Sequence, residues 1–66
     1  MTVGQSIRKV REEKGYSREH LARKAKIHSQ AIVRWELDIC YPNLRPLIAV
    51  ADALNVSLDE LVGRKR

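Results

Sequence analysis

A small all-α bundle is the fold this sequence predicts, and three observations carry that prediction. No segment alternates apolar and polar residues with the period of two that a strand needs. Phe is absent, while the helix formers Ala, Leu, Lys, Arg and Glu abound. The starts and stops of helices are written out as caps and staples. At 66 residues with a single cysteine, Cys40, the chain holds one domain with a modest core and no internal disulfide.

The elements follow in order. Thr2 and Gln5 have the form of a capping box, and Gly15 closes the helix they open, with Val3, Ile7, Val10 and the stem of Lys14 as its inward stripe. Tyr16, Ser17 and Leu21 form a hydrophobic staple around an N-cap serine: an apolar residue stands before the cap and another four residues after it. Ile27, His28 and Ile32 repeat those offsets with a less usual cap. Val56, Ser57 and Leu61 repeat them again, and Glu60 completes a capping box there. Asn43 caps a helix after Pro42; Pro46 lies in its first turn, where a missing N–H costs nothing. Leu47, Val50, Ala51 and Leu54 supply the buried face of that helix, and Asn55 ends it. Helices are therefore expected at 2–14, 18–24, 29–36, 44–54 and 58–62. The short connections imply one compact five-helix bundle over residues 1–63, with a basic tail at 64–66.

Charge is unevenly spread. Residues 1–36 carry nine Lys/Arg against four Asp/Glu, residues 37–63 carry Arg45 against four acids, and Arg64, Lys65 and Arg66 bring the formal net charge to +5. A basic half joined to a mildly acidic half suggests one face for a polyanion. Cys40, His20 and His28 make no zinc spacing, and neither histidine has an evident triad partner, so no metal, cofactor or enzyme chemistry is expected. No apolar run approaches bilayer length, and the N-terminus has no secretory pattern. A lone cysteine fits a reducing, cytoplasmic setting.

The segment HSQAIVRWE, residues 28–36, carries the functional signal. At 3.6 residues per turn, Ala31, Ile32 and Trp35 fall on one arc, and Ser29, Gln30, Val33 and Arg34 on the other. Ahead of it, residues 18–24 form a second short helix, with a tight turn at Ala25, Lys26 and Ile27. Ala22 and Ala25 are small enough to let the two helices cross closely, which a helix-turn-helix requires.

In order and spacing, the strings IRKVREEKGYS, HLARKAKI, SQAIVRWE and YPNLRPLIAVADALNVSLDELVG resemble the Cro/repressor-type (XRE-family) helix-turn-helix domain. The resemblance covers nearly the whole chain and implies a lambda-repressor-like DNA-binding domain from a prokaryotic or phage context, its third helix entering the major groove. Ser29, Gln30, Val33 and Arg34 are then the base-reading residues. Arg34 can pair bidentately with guanine, Gln30 with adenine, and Val33 can meet a thymine methyl. Arg18 stands where the family usually has a phosphate-clamping glutamine; with Lys26 and His28 it is expected on phosphates. Lys26 replaces a common turn glycine, so a positive φ there would strain it. Arg11 and Glu36 match an ion pair that ties the first helix to the end of the third.

The match thins in LDICYP, residues 37–42, where relatives usually place Gly and Lys/Arg. Asp38 opposes DNA. Ile39 and Tyr41 are expected to pack onto the first and fourth helices, and Leu37 and Cys40 to face a second subunit or partner. By resemblance, Asn55, Val56, Leu58 and Leu61 form the dimer surface. The sequence thus predicts a regulator that binds double-stranded DNA, a repressor by class, as a homodimer on a pseudo-palindromic operator. No small-molecule ligand and no membrane contact are expected. The competing class is a protein-interaction module, such as an antitoxin or an accessory subunit.

Overall fold

Every helix start that the caps mark is where a helix begins. The computed structural model describes residues 2–63, which contain α1 (Val3–Glu13), α2 (Arg18–Ala25), α3 (Ser29–Glu36), α4 (Leu44–Leu54) and α5 (Leu58–Val62), and no strand. Each boundary lies within one residue of the expected one. The tail Arg64–Arg66, expected as a basic extension, lies outside the described residues.

The caps differ in how they act. Thr2 accepts from the Gln5 N–H at 3.1 Å while the Gln5 side chain accepts from the Thr2 N–H, and Ser57 with Glu60 does the same for α5. Ser17 accepts from the His20 N–H at 3.0 Å. His28 and Asn43 occupy the cap positions of α3 and α4 with extended backbones, but neither side chain makes a capping bond. Four helix ends close in the same way: the residue just after the turning residue donates back five residues, as in Tyr16 to Arg11, Ile27 to Ala22, Ile39 to Arg34 and Val56 to Ala51. The turning residues are Gly15, Lys26, Asp38 and Asn55, all at positive φ.

Staple geometry explains the core. Leu21, Ile32 and Leu61 each sit four residues after a cap, and all three are fully buried together with Ile7, Val50 and Leu54. Every helix thus contributes at least one fully buried aliphatic, each stabilising by about 1.5–3 kcal/mol relative to exposure. Ala22, Ala25, Ala51, Ala53 and Trp35 complete the cluster, with Tyr16, Ile27 and Val56 packed at its edge. Helix α1 packs on α3 and α5, α2 on α3 and α4, and α4 on α5. The molecule measures 30 × 24 × 21 Å.

Three expectations need correction. Lys14 is exposed and does not continue the inward stripe of α1; Arg11 and Ser6 are the polar residues that this helix buries. Ile39 and Tyr41 do not pack down: they are 67% and 77% exposed, because the closure after α3 turns the chain outward at Asp38. Leu61 cannot belong to a dimer surface, since it is fully buried as the staple partner of Val56, itself packed against the core.

Gly4 shows how closely α1 approaches the end of α3. A Cβ at this position would collide with the Trp35 carbonyl oxygen and lie 2.7 Å from Asp38 Oδ1. Helix propensity alone predicts that Gly4→Ala stabilises by about 1 kcal/mol. The collision reverses the sign: the expected outcome is a net loss of about 1–3 kcal/mol in urea denaturation. A stabilised Gly4→Ala variant would refute the close approach.

Candidate nucleic-acid interface

The helix-turn-helix consists of α2, the turn Lys26–His28 and α3. Lys26 adopts φ 59° and ψ 45°, the left-handed conformation that its glycine-like position demands. A non-glycine residue is disfavoured there by about 1–2 kcal/mol. In return the chain reverses within three residues, and Ile27 reaches the core edge to staple α3. Ala22 and Ala25, both buried, let the two helices meet.

Helix α3 is held from one side. Ile32 is fully buried and Trp35 nearly so, while Gln30 and Arg34 are exposed and Ser29 and Val33 are half-buried. The four candidate base-reading residues therefore share one outward arc. Gln30 and Arg34 lie one turn apart, as do Ser29 and Val33. Lys26 and His28, candidates for phosphate, are exposed at the N-terminal end of the same helix.

The C-terminal end of α3 is anchored by charge. The Glu36 side chain is 1% exposed and that of Arg11 is 9% exposed. Arg11 Nε donates to Glu36 Oε2 at 2.7 Å and Nη2 donates to Oε1 at 3.2 Å, a two-point contact. Arg11 Nη1 donates to the Tyr16 carbonyl at 2.8 Å, which ties the same guanidinium to the turn before α2. Arg18, a phosphate candidate from the sequence, is also bonded here: its Nε donates to Glu36 Oε1 at 2.9 Å. Spacing alone did not reveal this third partner, because Arg18 and Glu36 meet only once α2 and α3 have packed.

Two further arrangements escaped the sequence reading. Tyr16 and His20 stack with ring centroids 4.5 Å apart, and Lys24 Nζ donates to the Tyr16 hydroxyl at 2.7 Å. The available signal was the four-residue spacing of His20 and Lys24 on α2, with Tyr16 another four residues back, just ahead of the Ser17 cap. Asp38, expected to oppose DNA, accepts from the Thr2 hydroxyl at 3.1 Å through Oδ2, so its carboxylate lies beside the N-terminus of α1. That is a favourable place for a negative charge. Among the described residues, no group of three or more His, Cys, Asp or Glu is arranged to hold a metal ion.

A short helix clamped from behind, preceded by a tightly crossed partner helix and fringed by cations, defines a helix-turn-helix nucleic-acid-binding domain. A helix-turn-helix family profile matches residues 7–61, and the chain belongs to this Cro/repressor-type family. It is 37% identical over 65 residues to the immunity repressor of Bacillus phage phi105, an alignment spanning 98% of this chain and 45% of that protein. It is similar in structure to the P22 c2 repressor in complex with a synthetic operator, with a TM-score of 0.88, 28% identity and 98% of both chains covered. It is similar also to SinR, the master regulator for biofilm formation, in complex with DNA: TM-score 0.84, 35% identity, 89% of this chain and 95% of that one. The chain spans about half the length of the curated relatives it matches. These relatives are transcription regulators.

Arg11→Met removes the two-point partner of a buried carboxylate. Arg18 stays bonded to that carboxylate, so the expected loss lies toward the lower end of about 3–5 kcal/mol of unfolding free energy in urea denaturation. The double change Arg11→Met with Glu36→Leu should recover a large part of it, since the buried carboxylate is then gone and the partly exposed Arg18 can turn to water. Arg8→Ala, which breaks an exposed pair with Glu12, should cost less than about 1 kcal/mol. Equal losses for Arg8→Ala and Arg11→Met would show that burial of the Arg11 pair contributes nothing.

Proposed function

We propose that this chain binds double-stranded DNA sequence-specifically, with α3 in the major groove, and represses transcription by occluding a pseudo-palindromic operator as a homodimer. The observation that carries this reading is the division of α3: Ile32 and Trp35 are locked in the core while Gln30 and Arg34 stand exposed on the opposite arc. A reading side chain must keep its donors in a fixed pose. Rigid backing fixes the backbone positions from which these side chains project, so that side-chain rotamers are what remains to be ordered on binding. Arg34 offers a planar fork for guanine O6 and N7, and Gln30 a donor and an acceptor for adenine N6 and N7. Ser29 and Val33 flank them with a hydroxyl and a methyl surface.

Dimerisation follows from reach. An eight-residue helix is about 12 Å long, which at about 3.4 Å per base-pair step touches roughly four base pairs. So few contacts cannot single out one site among the millions that compete in a genome. Two copies on half-sites about 34–36 Å apart can. Leu37, Ile39, Tyr41 and Leu44 are exposed large apolar side chains that begin where α3 ends, so a second copy seated on them would lie beside the first copy's reading helix. Cys40, between Ile39 and Tyr41 in the chain, is exposed with them, and Asn55 and Leu58 are exposed as well. A reducing cytoplasm suits a lone exposed thiol and a DNA target.

Duplexes selected from a random pool should share two inverted half-sites. On the selected duplex, Arg34→Ala and Gln30→Ala should each lose about 1–3 kcal/mol of discrimination against a scrambled duplex, with unchanged thermal melting. Binding without sequence preference would instead favour the protein-interaction module. Leu44→Asp and Ile39→Asp should abolish cooperative occupation of the two half-sites in footprint titrations, while single half-site binding persists. Undiminished cooperativity in both variants would place the dimer contact elsewhere.

A further inference from the structure

We propose that Glu36 is a positioning residue for phosphate contact: its buried carboxylate, bound to Arg11, grips Arg18 through Nε and presents the other edge of that guanidinium as a fixed phosphate clamp. This rests on the DNA-binding reading above. The argument begins with edges. A guanidinium has one edge formed by Nε and a terminal nitrogen, and another formed by the two terminal nitrogens. Arg11 turns its first edge to Glu36 and spends Nη1 on the Tyr16 carbonyl, so it is consumed inside the fold. Arg18 uses only Nε, at 2.9 Å from Glu36 Oε1. Among the described residues, Nη1 and Nη2 of Arg18 have no hydrogen-bond partner, and 36% of the side chain remains exposed. Its end-on edge is the fork that matches two phosphate oxygens.

Arg11 is engaged by two carboxylates, Glu36 through two bonds and Glu12 at 3.9 Å, so Arg18 is the arginine of this cluster whose terminal nitrogens are left for a phosphate. It lies on a groove of about 350 Å³ lined by Arg8, Arg11, Glu12, Ser17, Arg18 and Glu19. Because Arg18 is the first residue of α2 and Glu36 the last of α3, one carboxylate fixes both the clamp and the end of the reading helix. Phosphate grip and base register are thereby set from the same atoms, across a helix junction.

The test measures affinity for one selected duplex across a salt series, with active protein counted by stoichiometric titration. In the native background, Arg18→Met should weaken binding roughly tenfold and reduce the slope of log affinity against log salt by about 0.9, one phosphate's worth of counterions. If Arg18 serves the fold alone, melting temperature falls and the slope does not change, which overturns the proposal. Arg18→Lys should fold normally yet bind at least about threefold more weakly, because a single ammonium cannot hold carboxylate and phosphate along separate edges. An Arg18→Lys variant equal to the native protein overturns the positioning role, and it decides the matter even where Glu36→Gln does not fold. Where Glu36→Gln folds, Arg18→Met in that background should cost markedly less affinity than in the native one; an equal cost shows that Glu36 does not position Arg18. Failure of the native protein to bind any duplex defeats the DNA-binding reading itself, and this arm separates that failure from the others.

Discussion

A single carboxylate holds the architecture of this domain together. Glu36 ends α3, and its side chain is almost completely withdrawn from water. An isolated carboxylate in that position would be intolerable. It is matched by Arg11 from the last turn of α1 through two bonds and by Arg18 from the first turn of α2 through one. The ends of three helices are thereby brought to one point. Such a node is demanding in geometry, because its partners must arrive together and in register; that demand fixes how the helices are disposed.

Aliphatic packing does the complementary work. The core clusters Ile7, Leu21, Ile32, Val50, Leu54 and Leu61, drawn from all five helices. It is nondirectional and tolerates small rotations of each helix, whereas the guanidinium–carboxylate contacts do not. Indole and aliphatic packing behind α3 sets its depth, and the charged node at its C-terminal end sets its rotation. The outward arc of Ser29, Gln30, Val33 and Arg34 inherits its aim from both. At the opposite end of α3 the strained turn at Lys26 keeps α2 near enough for Ala22 and Ala25 to allow the crossing.

The loop after α3 departs from this economy. Leu37, Ile39, Tyr41 and Leu44 are large, apolar and exposed in succession. Asp38, at φ 60°, turns the chain away from the core there and anchors to the Thr2 hydroxyl. An apolar run on a basic domain is consistent with contact between protein surfaces adjoining the face that meets DNA.

By itself the sequence determined what depends on neighbours along the chain. Capping boxes at Thr2 and Ser57, staples at Tyr16, Ile27 and Val56, and the two arcs of α3 are local patterns whose partners lie within about one helical turn. Helix boundaries, most of the buried aliphatics and the two arcs of α3 were legible for that reason. The pairing of Arg11 with Glu36 was legible only through family resemblance. Tertiary structure alone decided the rest. It brought Arg18 to Glu36, turned Arg11 rather than Lys14 inward, withdrew Leu61 into the core and left Ile39 and Tyr41 in solvent. Each of these outcomes depends on where a second helix lies relative to the first, and residue spacing encodes that relation only through the packing of the whole bundle.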